Sequence, residues 1–171
     1  MADIQRLTAE QARQLEPDFV ALLIDVIDGG ASISFLSPMP EGMAEAFWNK
    51  VFDAVAEGTT ILLGALEDGR LVGTVQFVLA GQPNGLHRGE VQKLMVHRDF
   101  RGRGIAEQLM REIEKAAREA GRTLMVLDTW QGSAADRLYR RLGWVECGVI
   151  PQFAMSQAGT LEPTVIFYKL L

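Results

Sequence analysis

Cysteine and histidine are almost missing from this chain: its 171 residues include one cysteine, Cys147, and two histidines, His87 and His97. A single thiol excludes an intrachain disulfide, and so small a set of soft ligands leaves nothing from which a zinc cage is assembled, so no metal is expected. Long apolar runs are missing too. The longest, such as TTILLGAL at residues 59–66, fall well short of the ~20 residues that span a bilayer. The opening MADIQRLTAEQARQLEPD alternates charged and apolar residues where a leader peptide would carry an apolar core. These absences predict a cytoplasmic chain with no membrane partner. Positive charge is also in deficit, 17 Lys+Arg against 22 Asp+Glu, a formal net charge of -5. Proteins that grip nucleic acid through its phosphates carry the opposite excess, so no nucleic-acid partner is expected and any anion site must be built locally.

Apolar material is present in quantity, at 48% of residues. A chain of this length buries about 70% of the surface it exposes when unfolded, enough for one domain, residues 1–171, with a core that needs no staples. No repeat, low-complexity tract or charge block divides it. A short strand at DIQRL is followed by Thr8 and Gln11, spaced to cap a helix whose apolar face carries Leu15, Phe19, Leu22, Leu23 and Val26 and which stops at Gly29-Gly30. Met43, Phe47, Val51 and Val55 then repeat every four residues, predicting a second helix that ends at Gly58. From Thr59 the period falls to two. Strands over 59–67 and 70–80 meet across Asp68-Gly69, and Pro83-Asn84-Gly85 turns the chain into GEVQKLMV, residues 89–96.

A helix follows over 105–120, with Ile105, Leu109, Ile113 and Ala117 on one face and Gly121 at its end, then a strand RTLMVLDTW. Ser133 and Asp136 are spaced as a capping box for a helix through Leu142, and WVECGVI and TVIFYKLL are the last strands, separated by a long loop at 151–163. This order predicts a mixed α/β sheet with one parallel crossover.

The stretch richest in chemistry is KLMVHRDFRGRGIAEQLM, residues 93–110, where an apolar strand enters a basic glycine loop and then a helix. A helix N-terminus offers unpaired N–H groups and a positive dipole end, so it seats a phosphate without a dedicated lysine. Gly102 and Gly104 let the backbone come close, and Arg101 and Arg103 add local charge. The Walker pattern GxxxxGK[ST] is missing, and GRGIAE lacks the third glycine of the dinucleotide fingerprint.

LMV at 94–96 followed by RGRGIA at 101–106, with VLDT at 126–129 and LYRRLGW at 138–144, resembles the GNAT superfamily of acyl-CoA-dependent N-acyltransferases. Arg101, Gly104 and Ala106 match its Gln/Arg-x-x-Gly-x-Gly/Ala signature in register, Ala106 standing at the commoner second glycine. More narrowly, GGAS at 29–32, PNGLHRGEVQKLMV at 83–96, and LDT with GS at 127–133 are similar to the tabtoxin-resistance-type acetyltransferases. The resemblance implies an α/β (α+β) fold with a mostly antiparallel central sheet of six to seven strands flanked by four helices. It implies acetyl-CoA as donor, its pyrophosphate on the backbone of Arg101, Gly102, Arg103, Gly104, Ile105 and Ala106, and its pantetheine arm along Leu94, Met95 and Val96. An N–H of Met95 or Val96 would then stabilise oxyanion charge. Ser133 stands where many relatives carry an asparagine that touches the pantetheine; an N-cap on the amide of Asp136 explains it equally well.

An acceptor amine must shed a proton held with a pKa near 10.4, so a base is needed, directly or through water. Glu90, sharing a face with Gln92 and Leu94 by strand alternation, and Asp128 are the candidates; either alone also reads as a solvated strand-end charge. Tyr139 matches the family's general acid, a phenol that stays protonated at neutral pH. The expected activity is transfer of an acetyl group to a primary amine of a small molecule by direct attack in a ternary complex, the acceptor class including toxins or antibiotics such as a tabtoxin-like β-lactam. Acetylation of protein N-termini or lysines, or non-catalytic acyl-CoA binding, are the alternatives. Composition does not decide the assembly; the resemblance implies a monomer or a homodimer, a pair being the commonest soluble assembly. Trp130 is expected to wall the acceptor pocket, the loops over 28–39 and 151–163 to cover it, Cys147 to lie in the core, and His87 and His97 to be incidental.

Overall fold

The computed structural model describes residues 2–31 and 33–171; Ser32, the end of the GGAS block, lies outside the described residues. Strand β1 (Asp3–Arg6) leads to α1 (Ala9–Gln14), α2 (Glu16–Asp28) and α3 (Glu41–Ala56). The capping box at Thr8 forms in full, with Gln11 N donating to Thr8 Oγ1 at 3.2 Å and Thr8 N donating to Gln11 Oε1 at 2.9 Å. The single helix expected after it is two. Pro17 has no N–H to give and its ring would collide with the carbonyl four residues back, so the chain breaks at Leu15 and restarts with Pro17 in the first turn of α2. This raises the helix number from four to five among the described residues. Of the face expected on α3, Val51 is buried and Phe47 and Val55 pack against the core, while Met43 is exposed and Ala44, Trp48 and Phe52 complete the buried side. Trp48 and Phe52 turn inward to meet Phe19, tilted and edge-on, centroids 4.6 and 5.4 Å away.

The sheet continues through β2 (Thr60–Glu67), β3 (Arg70–Leu79) and β4 (Arg88–Val96), then α4 (Ile105–Glu119), β5 (Leu124–Trp130), α5 (Ala134–Arg141), β6 (Val145–Met155) and β7 (Leu161–Leu170). Seven strands lie in the order β1-β2-β3-β4-β5-β7-β6, parallel only between β4 and β5, where α4 makes the crossover. One sheet face packs α1 to α3 through Phe19, Leu23, Trp48 and Leu62. The other packs α4 and α5 through Ile105, Leu109, Ile113 and Leu138 against Leu63, Phe77 and Met125. Among the described residues no helix is long and apolar enough to cross a membrane.

The loop expected at 151–163 is mostly strand. β6 runs on through Pro151 to Met155 and returns through a tight turn in which Ser156 N donates to Thr160 O at 2.8 Å. A proline survives there because β6 is the sheet edge and the ladder is already irregular between Ile150 and Ala154. A second irregularity, between Glu146 and Gly148, accompanies exposure of Cys147, which the sequence had suggested for the core.

Two departures from a regular sheet make the site. β4 pairs with β5 only over Arg88, Gly89 and Glu90, after which the strands part and the remaining edge of β4 has no strand on that side. β4 also carries a bulge: Gln76 faces Gln92 and Thr74 faces Met95, two steps on β3 against three on β4, with Lys93 at φ 54. The extra residue inverts the alternation. Leu94 and Val96 pack against the α4-side cluster that holds Val91, so Leu94 does not share the face of Glu90 and Gln92 as simple alternation predicts.

Candidate active site

The anion cradle is built where β4 ends. After a short 3-10 turn (Arg98–Phe100) the chain passes Gly102 at φ 76 and Gly104 at φ 79, a left-handed N-cap from which α4 starts. Side chains with a Cβ resist that conformation, so glycine is required there. Buried Ile105 plugs the first turn of α4 into the core. Among the described residues no protein acceptor takes the N–H groups of Gly102, Arg103, Gly104, Ile105 or Ala106. Unpaired amides at the positive end of a 15-residue helix fit a pyrophosphate.

The two arginines diverge. Arg101 donates from Nε to Val96 O at 3.0 Å and borders the cleft described below. Arg103 turns the other way, donating to Asp99 O at 3.0 Å, lying over Phe100 at 4.9 Å and standing 3.6 Å from the carboxylate of Glu67. The Val96 carbonyl therefore points away from β3, and in an extended strand a residue's N–H follows its own C=O. Of the two amides that sequence left open, that of Val96 faces the free edge, whereas Met95, 3% exposed, turns toward β3.

Between the parted strands lies a cleft of about 740 Å³. β4 contributes Glu90, Gln92, Lys93 and Leu94, β5 contributes Asp128 and Trp130, and α5 contributes Tyr139, with Ser133 at the α5 N-terminus. The structure thus brings Glu90, Asp128, Tyr139, Ser133 and Arg101 to one cavity. Trp130 forms wall as expected. Residues 29–31, Ile33 and Ser34 of the loop after α2 close one side, and Phe153, Ala154 and Glu162 of the last hairpin close another. Gln157 ties these covers together, accepting from Ser37 N at 2.8 Å and donating to Phe35 O at 3.3 Å.

Asp128 is exposed to the cleft and accepts from Thr164 Oγ1 at 2.9 Å, a bond that fixes one carboxylate oxygen. Tyr139 is 5% exposed, its ring against Trp144 at 5.9 Å and Phe167 at 6.1 Å. Burial, helped by the charge of Asp128, pushes its phenol well above the ordinary 10.0. Ser133 caps α5, accepting from Asp136 N at 3.0 Å. The reciprocal half of the box is displaced by one residue: Asp136 Oδ2 accepts from Gly132 N at 2.7 Å, while Ser133 N donates to Trp130 O. His97 serves the turn, its Nδ1 accepting from Asp99 N at 3.3 Å.

Lys93 is the cleft residue that sequence reasoning missed. Its Nζ donates to Ser34 Oγ at 3.0 Å and lies 5.5 and 5.8 Å from the ring centres of Phe35 and Phe47. Burial lowers its pKa below the ordinary 10.5, against the opposing pull of Asp128 and Glu90. The one clue in the sequence is a lysine at a position that alternation assigns to the apolar face of Val91 and Met95.

A mixed sheet split beside a glycine-lined helix start, with carboxylates and a protonated phenol facing the gap, belongs to an enzyme class that takes an acyl group from coenzyme A. The chain is a member of the Acetyltransferase (GNAT) family, whose model matches residues 31–144, and it is an acetyl-CoA-dependent acyltransferase. It is 30% identical over 157 residues to L-methionine sulfoximine/L-methionine sulfone acetyltransferase of Pseudomonas paraeruginosa, covering 90% of this chain and 88% of that protein. Its fold is similar to a GNAT-family acetyltransferase of Streptococcus pneumoniae, with TM-score 0.81, 20% identity and 100% of both chains covered. It is also similar to a Salmonella typhimurium protein solved with its cofactor acetyl-CoA, with TM-score 0.77, 17% identity, and 100% of this chain and 94% of that one covered.

Proposed function

We propose that this enzyme, acting as one domain over residues 1–171, transfers the acetyl group to a primary amine of a small molecule that enters the cleft beside the donor. The amides of Gly102, Arg103, Gly104, Ile105 and Ala106 hold the pyrophosphate, with Arg101 beside them, and the open edge at Leu94, Met95 and Val96 receives the pantetheine arm past Ser133. Acetyl-CoA supplies an activated thioester carbonyl. Glu90, Asp128 or both accept the amine proton through water, Val96 N–H faces the developing negative charge, and Tyr139 gives its proton to the departing sulfur. The observation that carries this reading is the meeting of Glu90, Asp128 and Tyr139 in one cleft.

Burial beside Phe35 and Phe47 lowers the pKa of Lys93 despite the pull of Asp128 and Glu90. The covers joined by Gln157 favour a compact acceptor over a protein tail. Release of CoA thiol across small amines, amino acids, polyamines, antibiotics and short peptides tests the reading. Methionine sulfone and sulfoximine belong in the panel because the Pseudomonas relative is named for them. Turnover confined to one small-molecule class supports the proposal, and turnover confined to peptides overturns it.

A further inference from the structure

Among the described residues the hydroxyl of Tyr139 makes no hydrogen bond, so the aim of that O–H into the cleft rests on how its ring is packed. Phe167 and Trp144 supply the packing, at 6.1 and 5.9 Å between ring centres. Trp144 is itself 4% exposed. An indole in an apolar slot has two flipped orientations of similar outline, and a hydrogen bond selects one of them. Here Trp144 Nε1 donates to Glu114 Oε1 at 3.2 Å.

Glu114 is buried in α4 beside Ile113 and Ala117, where a carboxylate is costly unless it is paired. Its partner is Lys169 of β7, whose Nζ donates to Oε1 at 2.8 Å and to Oε2 at 2.9 Å. The same ammonium donates to Leu142 O at 2.8 Å, the C-cap carbonyl of α5. One ion pair thus fixes both ends of the segment 142–144, the Leu142 carbonyl through Lys169 and the Trp144 indole through Glu114. That segment is bonded back to Tyr139, whose carbonyl accepts from Leu142 N at 3.1 Å and from Trp144 N at 3.0 Å. Two charges that have given up water add little stability over an apolar pair of the same volume; what they supply is direction. We propose that Glu114 is a positioning residue for the proton donor: with Lys169 as its counter-ion it orients Trp144, and Trp144 holds the Tyr139 ring so that its hydroxyl meets the departing sulfur. This rests on the reading of Tyr139 as general acid and names what aims it.

The test is a double-mutant cycle on kcat. Trp144→Phe keeps a ring and removes the indole N–H. The paired change Glu114→Leu with Lys169→Met removes both charges at once, so that neither is left buried alone. Each is made with and without Tyr139→Phe and assayed by CoA-thiol release at saturating acetyl-CoA, using methionine sulfone or the fastest amine of the panel above. Melting curves show that each variant is folded at the assay temperature, and calorimetry reads its CoA affinity. With Tyr139 present, kcat is expected to fall about tenfold or more, because displacing a reacting group by ~1 Å costs up to about a hundredfold. KM for the acceptor and CoA affinity stay within about twofold, and in the Tyr139→Phe background the same changes alter kcat by no more than about twofold, the margin for uncoupled sites. Equal losses in both backgrounds, or an unchanged kcat with Tyr139 present, overturn the proposal and leave Tyr139 as the acid. Unfolding of both variants also overturns it, since the network is then an element of stability. If Tyr139→Phe alone leaves kcat unchanged, or no amine is turned over, the general-acid reading falls and this one with it.

Discussion

Replacing Tyr139 with phenylalanine isolates a single oxygen. The ring keeps its neighbours Trp144 and Phe167, at 5.9 and 6.1 Å, and stays in a site that is 5% exposed. Packing is therefore retained, and thermal stability is expected to move by no more than about 2–4 °C, the shift that ~1 kcal/mol produces in a chain of this size. What is lost is the hydroxyl proposed to give its proton to the leaving sulfur. A positioned general acid contributes about 10²–10⁴ in rate, so kcat should fall by that factor, roughly 3–5 kcal/mol of barrier. The assay is CoA-thiol release at saturating acetyl-CoA, with calorimetry for CoA affinity and a melting curve on the same sample. Because burial and Asp128 hold the phenol above 10.0, the wild type should show no decline in kcat from phenol ionisation below about pH 10. The reasoning is refuted if Tyr139→Phe keeps kcat within about threefold of wild type. It is refuted equally if kcat, CoA affinity and melting temperature fall together, which would make Tyr139 a packing residue.

The carboxylates divide by substitution: Glu90→Gln and Asp128→Asn, assayed by kcat/KM for the acceptor, should differ, and the double variant should lose at least about a hundredfold, the scale of lost general-base catalysis. Gly104→Val places a branched side chain at φ 79 in the cradle, and CoA affinity by calorimetry should drop about tenfold or more while the isolated fold persists. Urea unfolding from about pH 8 to about pH 11 should show two opposing trends. Between the lowered pKa of folded Lys93 and 10.5 the unfolded chain binds more protons, so stability rises with pH, and Lys93→Met removes that rise. Above 10.0 the unfolded chain loses the Tyr139 proton that the folded one keeps, so stability falls, and Tyr139→Phe removes that fall.

Much of this architecture was legible because its signals are local. The capping box at Thr8 and the periodic face of α4 that begins at Ile105 act within one or two turns of chain, and both form as read. The motif at residues 101–106 is likewise a local device, a left-handed glycine and free amides, and its place in the chain sufficed to find it. Misreadings arose where a distant partner decides. The spacing of Phe47, Val51 and Val55 found part of the inward face of α3, but its centre, Trp48 and Phe52, is set by Phe19 on another helix, and Met43 is left exposed. Pro151 reads as a loop until β6 is known to lie at the sheet edge. Ser133 and Asp136 form a cap, but the displaced amide of Gly132 depends on how the chain leaves β5.

The bulge in β4 is the deepest of these cases, because the cleft is lined by it and only the misplaced polarity of Lys93 hints at it in the sequence. Gln92 and Met95 face their β3 partners as they would in a regular strand with one residue fewer. Lys93 is therefore an addition to the ladder and not a member of it. Alternation over the unbroken sequence would send it into the α4-side core beside Val91, where an unpaired ammonium is prohibitively costly. Extruding one residue at φ 54 costs much less, roughly 1–3 kcal/mol, and leaves the apolar residues on both sides correctly buried. The extruded side chain lines the cleft, its ammonium against Ser34, Phe35 and Phe47. The parting of β4 from β5 that leaves the edge at Val96 without a strand opens the cleft that Lys93 lines together with Glu90 and Asp128.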